Sequence, residues 1–63
     1  MSIREVREKK GWTQTDLSYH SRVAAAEISR IESGRLKPTP RQLEKLAQAL
    51  GVPPNELTTG NQV

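Results

Sequence analysis

The chain has 63 residues, enough for one domain, and a chain this short buries only about 60% of its unfolded surface. Hydrophobic residues make up 33% and aromatics 3%, with no Phe and no Cys, so the core must be small and aliphatic, with no disulfide framework or thiolate metal site. The net charge of +3 permits an anionic partner without requiring one; no apolar run approaches the ~20 residues of a membrane span and no secretory leader opens the chain, so a cytoplasmic protein is expected.

Helix punctuation organises the rest. Ser2-x-x-Glu5 reads as a capping box, in which a hydroxyl accepts from the third residue's amide and that residue's side chain reaches back. It opens a first helix near 2–10, with Ile3 and Val6 on one face and Gly11 as a left-handed stop. Thr13-x-x-Asp16 opens a second helix near 13–20, flanked by Trp12 and Leu17 at the spacing of a hydrophobic staple. A third, near 24–33, carries Ile28 and Ile31 and stops at Gly34. Thr39-x-x-Gln42, with Pro40 at the first helical position, opens a fourth near 40–50. Its apolar face is Leu43, Leu46, Ala47 and Leu50, and Gly51 ends it. Pro54 can start a short fifth helix near 54–58, with Val52 and Leu57 as its staple. No stretch alternates with the period of two that a strand requires. The expected fold is an all-α five-helix bundle over 1–58, followed by a frayed tail, 59–63.

The second and third helices are separated by only Ser21-Arg22-Val23. Leu17, Val23, Ile28 and Ile31 supply apolar positions able to lock them at a steep angle, and Ser18 is small where they approach. That is the layout of a helix-turn-helix over about 14–33, although a generic αα-hairpin has similar lengths and spacing. The residues themselves go further. Gly11-Trp12-Thr13-Gln14-x-x-Leu17, then Ile28-Ser29-Arg30-Ile31-Glu32-Ser33-Gly34, Pro38, and Leu43-x-x-Leu46-Ala47-x-Ala49-Leu50-Gly51-Val52 resemble the phage-repressor and Cro type of helix-turn-helix protein, the XRE family. The resemblance runs without gaps from about Ile3 to Leu57. It implies double-stranded DNA as ligand and a role in transcription regulation, most often as a repressor acting on the nucleoid. It also implies a homodimer on a palindromic operator, with recognition helices ~34–36 Å apart, about one helical turn.

On the same resemblance, Ala25, Ala26, Glu27 and Arg30 are the recognition-helix positions that face base edges. Gln14, Ser33, Arg35, Lys37 and Arg41 match positions that grip the DNA backbone, and Arg7 and Glu32 match a salt bridge between the first and third helices, expected to be partly buried. The reading face is sparse. The methyl groups of Ala25 and Ala26 suit a thymine C5-methyl; Glu27 can accept from cytosine N4, or pair with Arg30 across one turn; Arg30 can clamp guanine O6 and N7. The expected half-site has T near the alanines and a G·C pair near Arg30.

Two positions depart from the family pattern. Arg22 stands where glycine is favoured because the backbone tends to be left-handed; it is either an extra phosphate contact or a tolerated exposed side chain. Ala24 replaces the Ser or Thr cap of the third helix and leaves its start weakly anchored. Trp12 reads as core, and His20 as exposed at a helix C-terminus without metal partners. Tyr19 reads as edge cover or a backbone contact, and Arg4, Lys9 and Lys10 as a solvated face. With no nucleophile–base constellation and no Gly-rich phosphate loop, no enzyme, cofactor or small-molecule ligand is expected. Two functions compete with specific regulation: a protein-interaction module of antitoxin or coactivator type, and non-specific DNA binding through Arg22, Arg35, Lys37 and Arg41.

Overall fold

The computed structural model describes residues 1–57. Four α-helices follow in order: α1 (Ile3–Lys9), α2 (Gln14–Ser21), α3 (Ala25–Glu32) and α4 (Pro40–Leu50). There is no β-strand among the described residues.

Each capping box forms in full. Glu5, Asp16 and Gln42 donate their backbone N–H to the hydroxyls of Ser2, Thr13 and Thr39 at 3.0, 3.0 and 3.1 Å, and their side chains accept from the cap N–H in return. These bonds satisfy amides that a helix start otherwise leaves open. At the other ends, Gly11, Gly34 and Gly51 lie at φ +74°, +82° and +75°.

The expected fifth helix is replaced by a single 3₁₀ turn, Pro54–Glu56. Its bonds run from Glu56 N–H to Pro53 C=O and from Leu57 N–H to Pro54 C=O, both three residues back. Leu57 turns extended after only three residues, so the segment is too short for an α-helical ladder with bonds four residues back. Thr58 and the tail expected at 59–63 lie outside the described residues.

The core is aliphatic. Ile3 and Val6 of α1, Leu17 of α2, Val23 of the link that follows it, Ile28 and Ile31 of α3, and Leu46, Ala47 and Leu50 of α4 are buried together with Leu57. Trp12, Leu36, Leu43, Ala49 and Val52 pack half-buried against them. α4 is the platform: it packs on α1, α2 and the 3₁₀ turn, while α2 packs on α3. The apolar face of α4 therefore fixes α2, and α2 in turn carries α3. No helix among the described residues is long and apolar enough to cross a membrane.

The link between α2 and α3 turns on Arg22, the only described non-glycine residue with positive φ (φ 62°, ψ 27°). Its N–H bonds Ser18 C=O at 2.8 Å, and the buried Ser21 hydroxyl accepts the Val23 N–H at 3.2 Å. Nothing in the sequence marked Ser21 for this task. It satisfies a donor that the abrupt change of direction would otherwise strand inside the protein.

Candidate nucleic-acid interface

The exposed side of α3 is built by helical spacing. Ile28 and Ile31 point into the core, which leaves Ala26, Ser29, Arg30 and Ser33 outward on neighbouring turns. Ala25 is half-buried beside them. Ser33 ends the helix and donates its hydroxyl to Arg30 C=O at 3.0 Å. Arg35, Lys37 and Arg41, in the following loop and the first turn of α4, are exposed.

Behind this face lies a charged cluster that joins three helices. The Arg7 guanidinium donates Nε and Nη2 to the two carboxylate oxygens of Glu32 at 2.8 and 3.0 Å, and Nη1 to Trp12 C=O at 2.8 Å. Gln14 adds its amide N–H to Glu32 Oε1 at 3.2 Å. The two charged side chains are only 10% and 5% exposed. The hydrogen bonds it donates to Glu32 hold the Arg7 pKa above its ordinary value. Parallel, forked hydrogen bonds of this kind fix orientation as well as distance. Gln14, expected to touch a phosphate, thus has one amide N–H on Glu32, and the second N–H of that NH₂ group is the donor left for a phosphate oxygen.

Gln14, Ser29 and Ser33 open onto one depression of about 320 Å³, lined also by Arg4, Arg7 and Glu32. The start of α2 and the outer face of α3 therefore share one side of the molecule. Ser29 and Arg4 belong to this depression although sequence reasoning gave them no role there. The signal for Ser29 was available, since it sits one turn from Ala25, Ala26 and Ser33; none existed for Arg4, which reaches the groove only through the packing of α1.

Two residues stand elsewhere. Glu27 is half-buried and accepts the side-chain amide of Gln42 at 3.3 Å, so its carboxylate is turned to α4 and does not pair with Arg30. Arg22 lines a second open depression with His20, Ser21, Lys45, Gln48 and Ala49, between the end of α2 and α4. Ion pairs among the described residues are Arg4–Glu8 and Arg7–Glu32, so Arg22, Arg30, Arg35, Lys37 and Arg41 have no described carboxylate partner.

An aromatic stack occupies the junction of α1 and α2. The rings of Trp12 and His20 lie 4.3 Å apart at 11°, Tyr19 meets His20 edge-on at 5.3 Å, and Lys10 Nζ is 5.1 Å from the Trp12 ring. Trp12 packs against the core as expected, and it also shelters the exposed His20 ring.

The sequence profile described as helix-turn-helix matches residues 3–57. The chain belongs to this XRE-type helix-turn-helix family. Its relatives include the HTH-type transcriptional repressor RghR of Bacillus subtilis, 46% identical over 52 residues, which is 81% of this chain and 38% of that protein. The chain thus spans well under half the length of that repressor. The uncharacterized HTH-type transcriptional regulator y4dJ of Sinorhizobium fredii is 43% identical over 54 residues, covering 86% of this chain and 70% of that one. Among solved structures, the restriction-modification controller protein C.AhdI from Aeromonas hydrophila superposes with a TM-score of 0.85 at 32% identity, covering 89% of this chain and 85% of the other. The family is one of DNA-binding transcription regulators, and the chain carries its helix-turn-helix over residues 3–57.

Proposed function

We propose that the chain represses transcription by binding an inverted-repeat operator as a homodimer, with α3 of each subunit in the major groove. The observation that carries this reading is the shared depression: the start of α2 and the outer face of α3 open on one side, as they must if one is to meet a phosphate while the other meets base edges. Arg30 clamps a guanine, and Ala25 and Ala26 lie against thymine methyl groups. Gln14 meets a phosphate beside α3 through its second amide N–H, and Ser33 does so when its hydroxyl turns from Arg30 C=O to the phosphate oxygen. Arg35, Lys37 and Arg41 grip the backbone along the loop and the start of α4, and Arg22 adds a contact from the turn. The place of action is nucleoid DNA in the cytoplasm.

The test is selection of fragmented genomic DNA on the purified protein at moderate salt. Enrichment of an inverted repeat with half-sites about ten base pairs apart is the expected result. Retention of all sequences alike, with affinity falling steeply as salt rises, would instead identify a non-specific binder held by Arg22, Arg35, Lys37 and Arg41.

A further inference from the structure

We infer that Glu27 is a positioning residue of the recognition helix, acting through Gln42, and not a reader of bases. The inference rests on α3 being the helix that enters the groove. The start of α3 lacks the device that starts the other three helices: Ala24 takes the cap position with extended backbone (φ −58°, ψ 138°) and offers no side-chain acceptor. Glu27 holds the third helical position, the place from which Glu5, Asp16 and Gln42 reach back to their own caps. Ala24 makes no such reciprocal box, and Glu27 reaches across to α4 instead.

Its partner is fixed from both sides. The Gln42 amide oxygen accepts the Thr39 N–H at 3.1 Å within the α4 capping box, which leaves the amide nitrogen pointing outward to Glu27 Oε2 at 3.3 Å. One side chain therefore closes the start of α4 and holds the start of α3. Because α4 is seated in the core through Leu46, Ala47 and Leu50, the first turn of α3 takes its position from the most firmly packed helix. Ala25 and Ala26, the residues that meet base edges at this end, lie in that same turn. They have no polar group with which to correct a misplacement, so their fit to a thymine methyl depends wholly on where the backbone is held.

Substitutions that keep or exchange the two ends of this bond separate positioning from reading. Glu27→Gln retains an acceptor for Gln42. Gln42→Glu retains the acceptor for Thr39 but loses the donor and sets two carboxylates face to face. The double variant E27Q/Q42E restores a donor–acceptor pair with its direction reversed. Each protein is titrated with a duplex carrying the site enriched by the wild type, under conditions where circular dichroism shows it folded, and its base preferences are profiled by selection from a random duplex pool. Expected are binding by E27Q within about two-fold of wild type, weakening by Q42E of about 3- to 10-fold, and recovery of most of that loss in the double variant, with the preferred bases unchanged throughout. A changed base preference in E27Q, or a double variant no better than Q42E, would overturn the inference. R30A is the control for the underlying reading: if it binds as wild type with an unaltered profile, α3 is not the reading helix, and the inference falls with that assignment.

Discussion

The two ends of α3 are held by different means. The far end carries Glu32, locked by three hydrogen bonds from Arg7 and Gln14, while Arg7 also ties the Trp12 carbonyl. The near end has an alanine for a cap, a left-handed arginine two residues earlier, and a single bond from Gln42. One end is fixed by buried charge and the other by a partly exposed amide. A helix so held should yield first at its start, where the alanines are, and not near Glu32.

The largest expected effect comes from breaking the firm end. Arg7→Ala leaves the Glu32 carboxylate buried with one neutral donor, which costs about 3–5 kcal/mol. A chain of this size has roughly 3–9 kcal/mol in total, so the loss is a large share of it and thermal unfolding should show the melting temperature lowered by about 12 °C or more. An unchanged melting temperature would mean that the buried pair does not hold the helix.

Strengthening the weak end should narrow the contrast. Ala24→Ser supplies the missing cap in a backbone already suited to it and should stabilise by about 1 kcal/mol, seen as a rise in Tm of about 4–8 °C. If Tm does not move, the Gln42–Glu27 bond already does the work of a cap. Arg22→Gly relieves the left-handed strain of about 1–2 kcal/mol, but glycine also makes the unfolded chain freer, so the net gain should lie between a few tenths and 1 kcal/mol. The same variant tests the turn contact, since loss of a phosphate-bound cation should make the salt dependence shallower by about one unit of slope.

The smallest effect is acid sensitivity, and it belongs to α1 and α2. Hydrogen bonds from the backbone and hydroxyl of Ser2 hold Glu5 below its ordinary 4.5, and those of Thr13 hold Asp16 below 3.8. The unfolded carboxylates, with ordinary values, take up protons first. The capping contribution is therefore present above those values and is lost as pH falls through the lower folded ones. Melting curves between about pH 5 and about pH 3 should fall less steeply for E5Q and D16N than for wild type.

These contrasts also mark what the sequence could disclose. The three capping boxes, the glycine stops and the buried faces of Ile28, Ile31 and Leu46 depend on residues within one turn of each other, so local spacing is enough to find them. The fifth element read as a helix because Pro54 suits a first turn, but the backbone turns extended at Leu57, and three residues leave room only for the tighter 3₁₀ bonds. Glu27 read as a base contact because the family resemblance puts its position on the reading face. Its link to Gln42 spans 15 residues and exists only once α4 is packed beside α3. Arg4 was hidden for the same reason, since it reaches the depression only through the packing of α1, whereas the Ser21 bond to Val23, two residues on, is a local feature of the turn.

The Trp12–His20 stack makes the lone indole an optical probe. Its ring is pressed against an imidazole at the α1–α2 junction, and its own carbonyl is tied to Arg7, so separation of these helices must change both its surroundings and its emission. The ring does not line the depression onto which Gln14, Ser29 and Ser33 open. Intrinsic fluorescence can thus follow unfolding while a labelled duplex reports binding, which tells a variant that has lost its fold from one that has lost only its grip on DNA.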